Sequence, residues 1–151
     1  MDTSGFFQYP GTEPQVPTGN PPGFLEDRGE DDWALLLEHT ETRLYRVGQP
    51  VLTEGESDRA LYLLVDGRLE APSGPVAPVS TFGEVAFLDG RPRAVTVTAS
   101  GDAEVLRLGY EAFLALSARR PDLGRAVLTD IGAILAARFR NASDQIAGWT
   151  G

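Results

Sequence analysis

Apolar positions along the chain fall into three regimes. Through residues 1–31 they follow no period. The stretch "QYPGTEPQVPTGNPPGF" is broken by five of the chain's eleven prolines and leads into the acidic run "EDRGEDD". Proline blocks helix and sheet ladders alike, and so little apolar surface cannot offset the entropy of ordering the chain. The pattern predicts a disordered spacer over 1–31; the alternative is a docking motif, with "GFFQYP" or "PGFL" as anchors for a protein partner. From Asp32 the pattern changes. Asp32 is placed to cap "WALLLEH", a short helix with Trp33, Leu36 and Leu37 turned inward.

Short alternating segments divided by turn residues come next. "TRLYRV" precedes Gly48-Gln49-Pro50, "VLTEGE" contains Gly55, and "ALYLLV" meets Asp66-Gly67, a strong hairpin signal, before "RLEA". "PSGPVAPVS" is broken by proline and glycine, and "AVTVTAS" turns at Gly101-Asp102 into "AEVLRLG". Beyond Gly109 the period lengthens. "YEAFLALSARR" sets Phe113, Leu114 and Leu116 at helical spacing. Pro121 then opens a helix with a stripe of Leu123, Val127, Leu128, Ile131, Leu135 and Phe139. The expected fold is therefore mainly β with flanking helices over 32–146. It is a small antiparallel β-barrel of jelly-roll, cupin-like topology, with one N-terminal helix and two C-terminal helices. Residues 147–151 are left as a stub.

Composition narrows the function classes. The chain of 151 residues has 42% hydrophobic positions, enough to build the core of one domain. Its net charge of −9 opposes a nucleic-acid surface, which needs clustered positive charge. Cysteine is absent and His39 is the single histidine, which removes thiolate chemistry, multi-histidine metal sites and the metal-dependent cupin enzymes. No apolar run approaches the roughly 20 residues of a membrane helix, so no membrane insertion is expected. The first residues carry Asp2 and Glu13 without an apolar core and do not read as a secretory signal, so a cytoplasmic location is expected. A non-enzymatic protein fits best.

Candidate chemistry concentrates in "FGEVAFLDGRPRAV", residues 82–95. Gly83 allows the backbone close to a ligand. Glu84 to Leu88 can form one short helix whose first amides lack partners, an arrangement that favours an anion. Arg93 offers a planar fork matched to phosphate, preset by Pro92. Glu84 would repel phosphate but would accept a sugar hydroxyl. Together these groups point to a phosphorylated sugar, of which a nucleotide is the commonest. The plainer alternative is an Arg93–Glu84 ion pair that closes a barrel turn with no ligand.

The stretch resembles the phosphate-binding cassette of cyclic nucleotide-binding domains, the type found in the catabolite activator protein and protein kinase A regulatory subunits. Phe82-Gly83-Glu84-Val85-Ala86-Phe87 and Pro92-Arg93-Ala94 carry the likeness at matching spacing. Gly48, "EGE" at 54–56, Leu61-Tyr62 and Gly67 resemble that family's glycine-marked early strands, so the likeness spans about 32–146. It implies that Glu84 accepts the ribose 2′-hydroxyl and Arg93 pairs with the cyclic phosphate. Amides of Gly83, Val85, Ala86 and Ala94 would cradle phosphate and sugar, with Val95 beside them. The helix after Pro121 would lie over the base, with Leu135, Arg138 and Phe139 as contact candidates. Val95 departs from the family's usual alanine, and the Pro-Gly-Asp element before the cassette is missing. Ala94 lacks the hydroxyl that favours guanine in some relatives, which leans towards cAMP over cGMP as the ligand, with no further cofactor.

The implied protein is a stand-alone sensor without a DNA-binding domain. It would signal to an unidentified protein, with residues 1–31 as one contact and a homodimer through the C-terminal helix as another. The competing expectation is an adaptor that keeps the barrel but works through its tail and last helix without ligand.

Overall fold

Strand β3 (Ala60–Asp66) is apolar at nearly every position because both its faces are covered. Ala60, Tyr62 and Leu64 point into one core and Leu61 and Leu63 into another. The computed structural model describes the backbone of residues 23–150 and the side chains of residues 23–143. The other elements are α1 (Glu30–Glu38), β1 (Glu41–Tyr45), β2 (Pro50–Leu52), β4 (Leu69–Ala71), β5 (Gly74–Val76) and β6 (Ser80–Phe82). They continue with α2 (Glu84–Asp89), β7 (Val97–Ala99), β8 (Ala103–Gly109), α3 (Tyr110–Arg119) and α4 (Pro121–Thr150). The strands make two four-stranded antiparallel sheets, ordered β1-β8-β3-β6 and β2-β7-β4-β5.

Between the sheets lies a core of Leu52, Tyr62, Leu64, Leu69, Val76, Phe82, Val97 and Val105. On the outer face of the β3 sheet, Leu61, Leu63 and Leu108 meet Phe87, Phe113, Leu116, Leu123, Val127, Ile131 and Ile134 of the helices. The mainly β jelly-roll architecture with flanking helices is as expected. The two sheets stay separate, however, and do not close into a continuous barrel.

Several local expectations give way to tertiary demands. Asp66-Gly67 does not make a hairpin, because β3 and β4 belong to different sheets and the turn carries the chain across the sandwich. The Gly101-Asp102 turn does the same between β7 and β8. The two corners pack on each other. Ser100 N–H donates to the Arg68 carbonyl at 2.9 Å, and a Cβ on Gly67, whose φ is 102°, would stand 2.1 Å from the Asp102 carbonyl oxygen. The strand predicted over "AVTVTAS" is paired only at Val97–Ala99. The residues before it are held instead by the Gly55 N–H on the Arg93 carbonyl and the Arg93 N–H on the Glu56 carbonyl, each at 2.8 Å.

The helices also differ. Residues 23–31, assigned to the tail, pack onto the domain. Phe24 and Leu25 are buried, Phe24 sets its ring edge-on to Trp33, and the Leu25 N–H donates to Asp130 Oδ2 at 2.7 Å. The rest of the predicted tail, residues 1–22, lies outside the described residues. Helix α1 starts three residues early with Gly29 at its N-cap, so Asp32 sits in its first turn, and Leu37 is 47% exposed while Leu36 is buried. In α4 the buried face is Leu123, Val127, Ile131 and Ile134, whereas Leu128 and Phe139 face outward. The helix backbone runs through Thr150, across most of the predicted stub.

The corner at Gly67 yields a stability test. Gly67→Ala meets both a positive φ and a backbone clash, so it should cost at least about 2 kcal/mol in urea unfolding. Gly29→Ala, where an added Cβ meets nothing within 4 Å and φ is −79°, should move the midpoint far less.

Candidate ligand-binding site

A left-handed glycine turns the chain from β6 into α2. Gly83 has φ 78° and ψ 18°, and a Cβ there would lie 2.8 Å from Arg93 Nη1. Only glycine fits both the conformation and the approach. After α2, the loop held on Gly55 and Glu56 returns Arg93 to the same point and turns its side chain inward, 4% exposed. Arg93 Nη1 donates to the Gly83 carbonyl at 2.8 Å. Its Nη2 donates to the Ala60 carbonyl at 2.8 Å and to Asp58 Oδ2 at 3.1 Å. Its Nε is buried with no hydrogen-bond partner among the described residues.

Asp58 anchors this arginine and is shared. Tyr62 OH donates to Asp58 Oδ2 at 2.7 Å, and Arg107 Nη2 donates to Oδ1 at 2.7 Å. Burial pushes the Asp58 carboxyl up, but hydrogen bonds from Tyr62, Arg107 and Arg93 outweigh it and bring it down to about 2. Burial and the neighbouring carboxylate together push the Tyr62 phenol up to about 12.

Glu84, the first residue of α2, is 2% exposed. Thr81 Oγ1 donates to its Oε2 at 2.7 Å, and Arg138 Nη1 donates to its Oε1 at 2.9 Å. Arg138 Nη2 also donates to the Thr81 carbonyl at 3.2 Å. Arg138 lies on the buried face of α4, one turn beyond Ile134, so the last helix reaches the site through a charged end to its apolar stripe. Removing one partner of such a buried pair costs more than the pair contributes, because the other charge stays desolvated. Arg93 and Glu84 are thus not paired with each other: Arg93 binds Asp58 and Glu84 binds Arg138.

All seven predicted site positions border one cavity of about 500 Å³. Gly83, Glu84, Val85 and Ala86 line one side, and Arg93, Ala94 and Val95 line another. Leu52, Ala71, Val76 and Val97 give it an apolar end, with Ser73 beside them. Of the three α4 candidates, Arg138 reaches the cavity, Leu135 packs on the helical core, and Phe139 is 72% exposed. Sequence reasoning missed Asp58, Tyr62, Thr81 and Arg107. The available signal was an acid directly ahead of a strand buried on both faces, with Tyr62 on the same side as Ala60 and Leu64.

Buried opposite charges around a cavity that is apolar at one end define a small-molecule-binding domain. The sequence profile of the cyclic nucleotide-binding domain matches residues 42–120, and the chain belongs to that family. It is 33% identical over 118 residues to the cyclic AMP receptor protein of Thermus thermophilus, covering 72% of this chain and 53% of that protein. It is 39% identical over 99 residues to the cAMP-dependent protein kinase regulatory subunit of Aspergillus fumigatus, covering 61% of this chain and 24% of that protein. A cyclic nucleotide-binding domain from Methylobacillus flagellatus superposes with a TM-score of 0.73 at 26% identity, over 80% of this chain and 74% of that one. The chain spans about half the length of the first relative and about a quarter of the second. Among the described residues, no helix is long and apolar enough to cross a membrane, and no acid, histidine or cysteine cluster is arranged to hold a metal.

The charge network around Asp58 makes the domain's stability depend on acid. The folded Asp58 carboxyl titrates near 2, below its unfolded value of about 3.9, so its contribution is complete above that value and lost as pH falls towards 2. Urea midpoints followed across that window should fall less steeply in Asp58→Asn than in the native chain.

Proposed function

We propose that the domain binds a cyclic nucleotide, cAMP in preference to cGMP, and reports it through contacts with another protein rather than by catalysis. The carrying observation is the placement of Arg93, buried with an unmatched Nε donor, and Glu84, buried at the start of α2, on the walls of one cavity. An anion with a neighbouring hydroxyl satisfies both: phosphate oxygens for the arginine and the amides of Gly83, Val85, Ala86 and Ala94, a ribose 2′-hydroxyl for Glu84. The apolar end formed by Leu52, Val76 and Val97 suits a flat base. Ala94 brings no hydroxyl to discriminate in favour of guanine, and the Thermus and Aspergillus relatives carry cyclic AMP in their names. Val95, bulkier than the family's usual alanine, lines the same wall.

The response would run through Arg138. It holds Glu84, the group the ribose would also use, so a nucleotide meets α4 on arrival and biases its position by the difference in affinity for the two placements. The outward face of α4 supplies an output. Leu128, Gly132, Phe139 and Ala142, with half-buried Leu135 at the edge of this face, recur at alternating spacings of four and three, the pattern of a helix seam, and a second copy of the chain is the proposed partner there. Exposed Phe139 also favours the second reading, an adaptor that uses this face and the N-terminal tail without ligand.

Calorimetric titration separates the readings. The native chain should bind cAMP more tightly than cGMP, and Arg93→Ala should weaken cAMP by about 2–5 kcal/mol, as expected when a buried charge loses its partner. No heat and no thermal shift at millimolar nucleotide would reject nucleotide binding. Capture of a protein partner that needs residues 1–31 and ignores nucleotide would then support the adaptor.

A further inference from the structure

Outside the cavity, one exposed arginine is committed to the main chain of α2. Arg59 donates from Nε to the Phe87 carbonyl and from Nη2 to the Leu88 carbonyl, each at 2.9 Å. These carbonyls belong to the last turn of α2, where a helix has no donors of its own. The Ala86 carbonyl beside them is taken by the Gly90 N–H at 2.9 Å. The guanidinium charge also suits the negative end of the helix. Gly90 leaves the space for it: an added Cβ would lie 3.3 Å from the Arg59 guanidinium carbon.

The same side chain reaches α3. The Arg59 guanidinium lies over the Tyr110 ring, 3.5 Å from its centroid, and the Tyr110 N–H donates to the Arg59 carbonyl at 2.9 Å. Phe87 sets its ring against Tyr110 and Phe113 at 5.7 and 5.3 Å between centroids. Tyr110 is the first residue of α3, so Arg59 joins the end of one helix to the start of the next by side chain and main chain together.

A helix of six residues cannot fix its own direction, because so few intrahelical bonds offset the ordering of its first turn. Two arginines bracket α2. Arg93 holds its N-terminal end through the Gly83 carbonyl, and Arg59 holds its C-terminal end. Arg93 faces the cavity and its partners would change when an anion arrives. Arg59 stands outside the cavity and its partners would not.

We infer that Arg59 is a positioning residue for this site: it aims the N-terminal amides of α2 into the cavity and carries any displacement of α2 to α3. The ligand side of this inference rests on the cyclic-nucleotide reading of the cavity, whereas the hold on α2 applies to the ligand-free protein as well. An arginine that merely decorates the surface would affect neither.

Arg59→Met and Arg59→Lys test it. Methionine keeps an apolar stem near Tyr110 and removes every donor, while lysine keeps the charge but cannot reach two carbonyls with a fork. Arg59→Met should weaken cAMP about tenfold, the loss expected from two charge-assisted hydrogen bonds that orient the site, with Arg59→Lys in between. The thermal midpoint should move little, because Arg59 is exposed. In amide spectra, saturating cAMP should shift Tyr110 and Phe113 in the native chain and leave them nearly unmoved in Arg59→Met. Native-like affinity together with a native-like α3 response in Arg59→Met would overturn the inference. If the native chain binds no cAMP, the nucleotide reading fails separately. Hydrogen exchange at the Phe87 and Gly90 amides of the ligand-free proteins then decides: faster exchange in Arg59→Met supports the inference, and equal exchange overturns it.

Discussion

One buried guanidinium ties together the parts of this domain that matter for ligand. Arg93 joins the Gly83 carbonyl ahead of α2, the Ala60 carbonyl at the start of β3, and Asp58 in the loop before it. A desolvated arginine is costly unless its charge and donors are matched, so the surrounding chain is arranged to match it. Asp58 is held ionised by Tyr62 and Arg107, and the loop bearing Arg93 is pinned by main-chain bonds to Gly55 and Glu56. Gly83 is glycine because the guanidinium passes within 2.8 Å of where a Cβ would be. Among the described residues, only the Nε of this guanidinium is left without a hydrogen-bond partner, as the two Nη atoms are taken by Gly83, Ala60 and Asp58.

The second buried charge, Glu84, ties the site to the long helix. Its carboxylate is divided between Thr81 and Arg138, so the position of α4 and the state of the cavity share one group. On the proposed reading, a ribose hydroxyl enters this arrangement as a further donor. The apolar contacts of Val127, Ile131 and Ile134 hold α4 against the β3 sheet, while Arg138 meets Glu84 at the cavity wall. The packing residues and the contact with Glu84 therefore lie on the same helix face, one turn apart.

The parts of this design differed in how far they could be read from sequence. The stretch from Phe82 to Val95 was legible as a candidate site because its glycine, acid and arginine each have a local physical reason at fixed spacing, and the fold brings them to one cavity. The fold class was legible from the change of period at Gly109. The Asp66-Gly67 turn misled, because its chemistry specifies a sharp reversal but not whether the strands on either side share a sheet. That choice is made by β3, which pairs with β8 and β6 at its edges while the opposing sheet and the helices cover its two apolar faces. Phe24 and Leu25 were hidden by the prolines before them; their side chains join the helical core, and the Leu25 N–H meets a distant partner, Asp130 of α4. Asp58 was hidden for the same reason: it is defined by two arginines, 35 and 49 residues away in sequence, that meet only in the folded chain.

The 2′-hydroxyl contact is the most discriminating feature of the proposed site, since it assigns a purpose to a carboxylate that would otherwise oppose a phosphate. Calorimetric titration of the native chain with cAMP and with 2′-deoxy-cAMP isolates that one contact. If Glu84 reads the ribose, the deoxy ligand should bind about tenfold or more weakly, the usual loss of one hydrogen bond to a charged acceptor. Equal affinity for the two ligands would contradict the assignment of Glu84 and, with it, the nucleotide pose.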